Sequence, residues 1–274
     1  MLQRDRARMI ISEQFGFAFV HIPKCAGMYV QKYLGMFDDY KLEHYSNQGP
    51  TSLAKLKLSH YSLERMSISL PEQFEQICRL ESFALVREPT SRFISSTFQY
   101  LRENYKSTYF LRLLVPWHMN RLIPVLCNSN LSFLPTQYIH FTPQTCYINF
   151  NSIQVVQNLY LIDDASKMVR RILTDKIGRE DPELALESAF HQSRGSDLSI
   201  RERIPKFVWK LLPKRLAKRF SDLAANQISR RSTLLYDALE REVANNPRIQ
   251  ELIHQIYASD IKLYQLLTSI RPPK

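Results

Sequence analysis

Residues 17–34 read FAFVHIPKCAGMYVQKYL. Uncharged aromatic and β-branched residues over 15–20 predict a short buried strand, and the spacing over 28–36 predicts a helix. Between them stand Pro23, Lys24 and Gly27, in a chain with only 6 glycines and 14 prolines. A strand that ends in a tight turn at a helix N-terminus makes an anion site. The N–H groups of the first helical turn lack intrahelical partners, and the helix dipole adds partial positive charge. Gly27 lets the backbone approach a ligand closely, Lys24 supplies a full charge and Pro23 stiffens the turn. Pro23, Lys24, Cys25, Ala26, Gly27, Met28 and Tyr29 are therefore candidates to cradle a phosphate-like group. Taken alone, the segment fits equally an ordinary strand-to-helix turn with a solvated lysine. It is not a Walker A loop: GxxxxGK[ST] is absent, and no Ser or Thr follows the Lys to hold magnesium.

Outward from this turn, strands alternate with helices. Leu53–Ser59 alternates apolar with polar or basic residues as a second strand would. Pro71–Leu80 reads as a helix opened by proline. SFALV (82–86) reads as a third strand, running into a long helix from about Pro89 to Tyr105. Residues 107–134 read as helical, broken near Pro116 and Pro124, and 136–150 as a loop. NLYLI (158–162) reads as a fourth strand, with Asp163 or Asp164 capping the helix after it. From about 181 the pattern is helical and basic, ending in one apolar-striped helix over 247–270. The stretch 178–206 is the best candidate for a mobile excursion. Alternation of this kind predicts a parallel α/β sheet.

The bulk numbers bound the partners. The chain has 274 residues, enough for one large core, and 37 Lys and Arg against 26 acids give a formal charge of +11. Such a surplus favours polyanionic partners. No apolar run approaches the length of a membrane span, and the first residues are too polar for a secretory leader, which points to the cytoplasm. Cys25, Cys78, Cys127 and Cys146 show no CxxC spacing and read as reduced thiols rather than disulfides or a zinc site.

The second informative element is LVREPTSRFISSTF (85–98). Here too a strand runs into a turn and a helix. Arg87 stands at the strand's carboxyl end, and Ser95 lies eight residues on, about two helical turns inside. Together they could hold a second anion, with Arg92 a further helper or simply a solvated helical arginine. Open α/β sheets bind ligands beyond the carboxyl ends of their strands. Two such turns fit one ligand with two separated phosphate-type groups.

HIPKCAG together with LVREPTSRFISSTFQYLR resembles the sulfotransferases that use 3′-phosphoadenosine 5′-phosphosulfate (PAPS). The likeness is greatest to the carbohydrate type, related to the heparan sulfate 2-O- and chondroitin-type enzymes. The terminal IYASDIKLYQ (256–265) is similar to that family's closing helix. The resemblance implies an α/β, P-loop-like three-layer sandwich: a central, mainly parallel sheet flanked by helices, and a helical C-terminal part, in one domain over 1–274. It implies Lys24 at the 5′-phosphosulfate and Arg87 with Ser95 at the 3′-phosphate, and PAPS as co-substrate with no metal. One departure concerns the residue after the loop glycine. The family has Thr or Ser there, and this chain has Met28, so backbone N–H groups and Lys24 are left to hold the 5′-phosphate.

Sulfuryl transfer builds charge on the bridging oxygen as the bisphosphate leaves, and a fixed cation beside it helps most in the transition state. Lys24 is the candidate. The acceptor hydroxyl needs a base. Related glycan enzymes carry a histidine where this chain has His60, with Glu64 one turn on as helper. The alternative is a histidine that caps the next helix or packs locally. His21 reads as loop support. His140, with Gln137 and Gln144, falls where related enzymes touch the acceptor. In the basic stretch, Arg230 or Arg231 could fold over the nucleotide, as a flexible segment of this family does. The tract 206–220 could lie as a solvated helix face or on an anionic membrane.

The leading expectation is a PAPS-dependent sulfotransferase acting on a hydroxyl of a carbohydrate or glycoconjugate. The alternatives are a catalytically impaired nucleotide- or polyanion-binding module of the same fold, supported by Met28, and a phosphotransferase, opposed by the missing Walker A loop. No nucleic-acid motif is present.

Overall fold

The computed structural model describes residues 8–40, 60–105, 113–180 and 233–270. The expected strand Leu53–Ser59, most of the 178–206 excursion, the basic tract 206–220, and Arg230 and Arg231 lie outside the described residues.

The chain starts with a strand the sequence reading missed. β1 (Ile10–Ser12) turns back through Gly16 (φ +67°) into β2 (Phe17–Phe19) and pairs with it antiparallel, Ile11 opposite Ala18. β2 leads into α1 (Gly27–Leu34), one residue earlier than expected. After residue 60 come α2 (Leu63–Ser69), α3 (Pro71–Arg79), β3 (Glu81–Val86) and α4 (Pro89–Asn104). α5 (Val115–Cys127) has Pro116 in its first turn and absorbs Pro124 inside it. Residues 136–147 hold two short 3₁₀ turns, Thr136–Phe141 and Gln144–Tyr147, rather than open loop. Ile139, His140, Phe141, Thr142, Gln144 and Tyr147 are all buried there. β4 (Asn149–Phe150) and β5 (Ile153–Gln154) form a hairpin, and β6 (Asn158–Leu161) precedes α6 (Ala165–Ile172). The expected side-chain cap by Asp163 or Asp164 is not made. A 3₁₀ turn, Ile162–Asp164, feeds the helix instead, with Asp164 at the capping position but making no side-chain capping bond to the helix.

The last helix is not continuous, as the stripe had implied. Helical residues 233–245 (α7) lead to α8 (Pro247–Ile256), and the chain breaks at Tyr257 before α9 (Ala258–Ser269). The two halves serve different cores. Ile249, Leu252 and Ile253 of α8 pack with α4, α5 and α7, whereas Leu263, Tyr264 and Leu267 of α9 pack toward the sheet. Among the described residues no helix is long and apolar enough to cross a membrane.

The central sheet has the order β1-β2-β3-β6, with β2, β3 and β6 parallel and helices on its flanks. β2 and the 83–86 part of β3 read as unbroken apolar runs because both faces are covered there. Phe17, Ala18, Phe19, Phe83, Ala84, Leu85 and Val86 are all buried. The register decides the site. β2 and β3 are adjacent and parallel, and the Val20 N–H still donates to the Phe83 carbonyl (2.8 Å) beyond the last residue of β2. Their carboxyl ends therefore open side by side, and the two turns singled out in the sequence emerge together.

Candidate functional site

The first turn owes its bend to residues the sequence reading did not choose. Lys24 (φ +69°) and Ala26 (φ +56°) take the left-handed conformation, whereas Gly27 simply opens α1. Left-handed backbone at non-glycine residues costs energy and collects at ligand clamps. Alternating conformations of this kind turn successive N–H groups toward one concavity, an anion nest. The carbonyls of the turn are already engaged: Arg92 Nε donates to that of Pro23 (3.1 Å) and Arg87 Nη1 to that of Lys24 (3.2 Å). Met28 is 55% exposed, and Tyr29 lies half-buried with its ring against Tyr33.

The second turn is set by Glu88, whose carboxylate accepts from the N–H groups of Thr90 and Ser91 and caps α4, with Pro89 at the first helical position. The Arg87 side chain is then held on the helix: Nη2 and Nε donate to Ser91 Oγ at 2.7 and 3.0 Å, and Nη2 also reaches the Tyr236 hydroxyl on α7 (3.4 Å). Ser95, the expected partner of Arg87, is half-buried one turn further along the same face. Arg92 is neither solvated nor a ligand helper. It is buried, with Nη2 donating to the carbonyls of Thr142 (2.7 Å) and His140 (3.3 Å), so it ties the first turn to the 136–142 segment.

One buried side chain joins the two turns. Gln144 Oε1 accepts from the Arg87 N–H (2.9 Å) and from the Cys25 thiol (3.2 Å), while its Nε2 donates to the Arg87 carbonyl (2.8 Å). The backbone of Gln144 is anchored in turn. Asp260 of α9 accepts from the N–H of Gln144 (2.7 Å), the N–H of Thr145 (2.9 Å) and the Thr145 hydroxyl (2.9 Å). Gln144 is thus fully enclosed and structural, not an acceptor contact. Burial pushes the Cys25 thiol up to about 11, so it remains protonated and inert.

The electrostatics favour an anion. Lys24 is lowered to about 8, first by desolvation, then by the Arg102 and Arg87 guanidiniums nearby, against the opposite pull of Glu103. Its Nζ lies 3.5 Å from Gln99 Oε1, a long contact, and Arg102 Nη2 donates to the same oxygen (2.9 Å). Sequence reasoning missed Ser91, Gln99, Arg102 and Tyr236. The spacing of 91, 95, 99 and 102 marks one face of α4, a signal that was available but unused.

Next to this cationic zone stand three imidazoles. His60 lies between His21 (ring centroids 5.9 Å) and His140 (5.0 Å), and all three are buried. His60 does not cap the following helix. Ser62 does, its Oγ accepting from the Arg65 N–H (3.3 Å). Tyr147 fixes the backbone at this point by donating to the His60 carbonyl (3.2 Å). Glu64 is exposed on an open polar groove of about 330 Å³ that Ser132, Thr145, Asn149 and Ser259 also line, and Gln137 is exposed.

Residues 7–172 match the model of the sulfotransferase family. No curated protein and no solved structure matches the chain. The matched span is more than half of the chain and holds both strand-to-helix turns, the three histidines and Gln144. The chain therefore belongs to the sulfotransferase family.

Proposed function

We propose that this sulfotransferase takes its sulfuryl group from PAPS and delivers it to a hydroxyl of a carbohydrate or glycoconjugate. The observation that carries the reading is the joining of the two turns. Arg87 Nη1 donates to the Lys24 carbonyl, and Gln144 fastens both turns to one amide. A donor with a 3′-phosphate and a 5′-phosphosulfate needs two cationic cradles at a fixed spacing. Arg87, with Ser91 and Ser95 along α4 and Arg230 from the basic segment, takes the 3′-phosphate. Pro23 to Tyr29 takes the 5′ end, with backbone N–H groups replacing the hydroxyl that Met28 does not offer.

In the transfer, the bond between sulfur and the bridging oxygen breaks as the acceptor oxygen bonds to sulfur. The Lys24 ammonium stabilises charge on the departing phosphate, and His60 accepts the proton of the acceptor hydroxyl. Met28 favours a second reading, a binding module of the same fold with impaired transfer.

Thermal stabilisation by nucleotides tests the donor. Adenosine 3′,5′-bisphosphate should raise the melting temperature of the wild type and ADP much less, because only the folded state binds. Arg87→Ala should erase the difference. Equal shifts with both nucleotides would refute the 3′-phosphate site. Turnover of labelled PAPS with glycan acceptors then separates the enzyme from the binding module.

A further inference from the structure

We propose that Gln99 is a positioning residue for Lys24: a neutral side chain that orients the ammonium along α4 and keeps it apart from Glu103. The inference rests on the reading of Lys24 as the cation at the leaving phosphate. It starts from the polar face of α4, where Ser91, Ser95, Gln99 and Arg102 follow one another over about 16 Å of helix. Arg87 is fastened to Ser91 at one end of that face, and Lys24 reaches Gln99 nearer the other. Both cations of the donor site are thus laid along a single helix.

Gln99 uses both ends of its amide. Nε2 donates to Glu103 Oε1 (2.5 Å), which fixes which end of the amide faces the site. Oε1 then receives Arg102 Nη2 (2.9 Å) and, at longer range, Lys24 Nζ (3.5 Å). Two cations share one neutral oxygen, and the Glu103 carboxylate is held at the other end of the same amide. A carboxylate at position 99 would pair with Lys24 and quench the positive potential that draws an anion. A glutamine steers the ammonium without neutralising it. The charged groups acting on Lys24 are Arg102 and Glu103 from α4 and Arg87 from the end of β3, and the titratable Cys25 thiol faces it from its own turn.

The test reads Lys24 directly. In full-length protein carrying ¹³C-labelled lysine, the pH titration of the Lys24 ε-CH₂ signal, assigned by its loss in Lys24→Met, gives the midpoint without any ligand. The wild type should titrate near 8. Gln99→Glu should move the midpoint up by about one pH unit or more, since an adjacent opposite charge favours the ammonium, and Gln99→Leu should move it down. One midpoint for all three proteins overturns the inference. Adenosine 3′,5′-bisphosphate supplies the second arm. If the wild type binds it, Gln99→Glu should bind about tenfold more weakly near neutral pH, and equal affinity overturns the shielding role. If the wild type does not bind it, the donor assignment under "Proposed function" fails, while the midpoints still decide whether Gln99 governs Lys24.

Discussion

Gln144 pairs with both backbone groups of Arg87 as a neighbouring strand would, accepting from its N–H at 2.9 Å and donating to its carbonyl at 2.8 Å. The arrangement satisfies two backbone groups just past the end of β3, where the sheet can no longer do so. Gln144→Leu keeps the volume and removes every polar contact of the side chain while leaving its backbone bond to Asp260. It should destabilise the protein by about 2–4 kcal/mol, because each buried group left unpaired costs about 1–3 kcal/mol. It should also weaken binding of adenosine 3′,5′-bisphosphate more than that of a nucleotide with a single phosphate, since in the proposed donor site only the former spans both turns. Denaturant melts and calorimetric titration measure both effects, and equal losses for the two nucleotides would show that Gln144 does not set the spacing.

Lys24 is a residue kept against the interest of stability. Its ammonium is depressed from 10.5 to about 8 in the folded protein, so the unfolded chain binds the extra proton more readily between those values. The sign follows: the penalty on folding is full below about pH 8 and is relieved as pH rises from there toward 10.5. Lys24→Met should therefore stabilise the protein at pH 7 by on the order of 1–3 kcal/mol, after discounting for the partial exposure of the residue. The advantage should fade above pH 8, while sulfuryl transfer is abolished. Thermal melts of the two proteins at pH 7 and pH 10 check the direction, and a destabilised Lys24→Met at pH 7 contradicts the argument.

What the sequence disclosed about this site was local. The strands at 82–86 and 158–162 and the helices at 71–80 and 89–105 announce themselves through apolar runs and proline openings, and they stand within a residue or two of expectation. β1 did not, because three residues are too few to show a period. Lys24 and Arg87 were visible because each stands at a strand's carboxyl end. The residues that organise them were not, since Gln144 lies 57 positions from Arg87 and Asp260 a further 116 from Gln144. The break at Tyr257 was equally hidden. The apolar stripe continues through it, and only the two separate cores explain why α9 must turn to bring Asp260 to the 144–145 backbone.

Ser91 and Ser95 can be told apart experimentally. Ser91 Oγ accepts twice from Arg87, so Ser91→Ala should loosen the guanidinium even without ligand. Ser95 stands one turn on, half-buried and outside the Arg87–Ser91 contact. Ser91→Ala should lower protein stability by about 1 kcal/mol and bisphosphate affinity by several-fold. Ser95→Ala should leave stability within about 0.5 kcal/mol and still weaken the bisphosphate. A Ser95→Ala protein with unchanged nucleotide affinity would remove that serine from the donor site and leave Ser91 as the working hydroxyl.

His60 offers the sharpest separation of chemistry from folding. The helix after it is capped by Ser62, and Tyr147 bonds the His60 carbonyl rather than its ring, so both fastenings survive a change of side chain. If His60 takes the acceptor proton, His60→Ala should cut turnover by on the order of 10²-fold or more. Binding of adenosine 3′,5′-bisphosphate should stay within a factor of about two, because the contacts proposed for the bisphosphate lie at the two turns. His140→Ala makes the control. Its ring touches His60 at 5.0 Å, and its backbone carbonyl, which receives Ser96 and Arg92, is untouched by the substitution. If His140 packs against the base without touching the acceptor, its loss should cost far less turnover than loss of the base itself. Turnover falling equally in the two variants would point to the histidine cluster as a packing unit, and undiminished turnover in His60→Ala would take that residue out of the reaction.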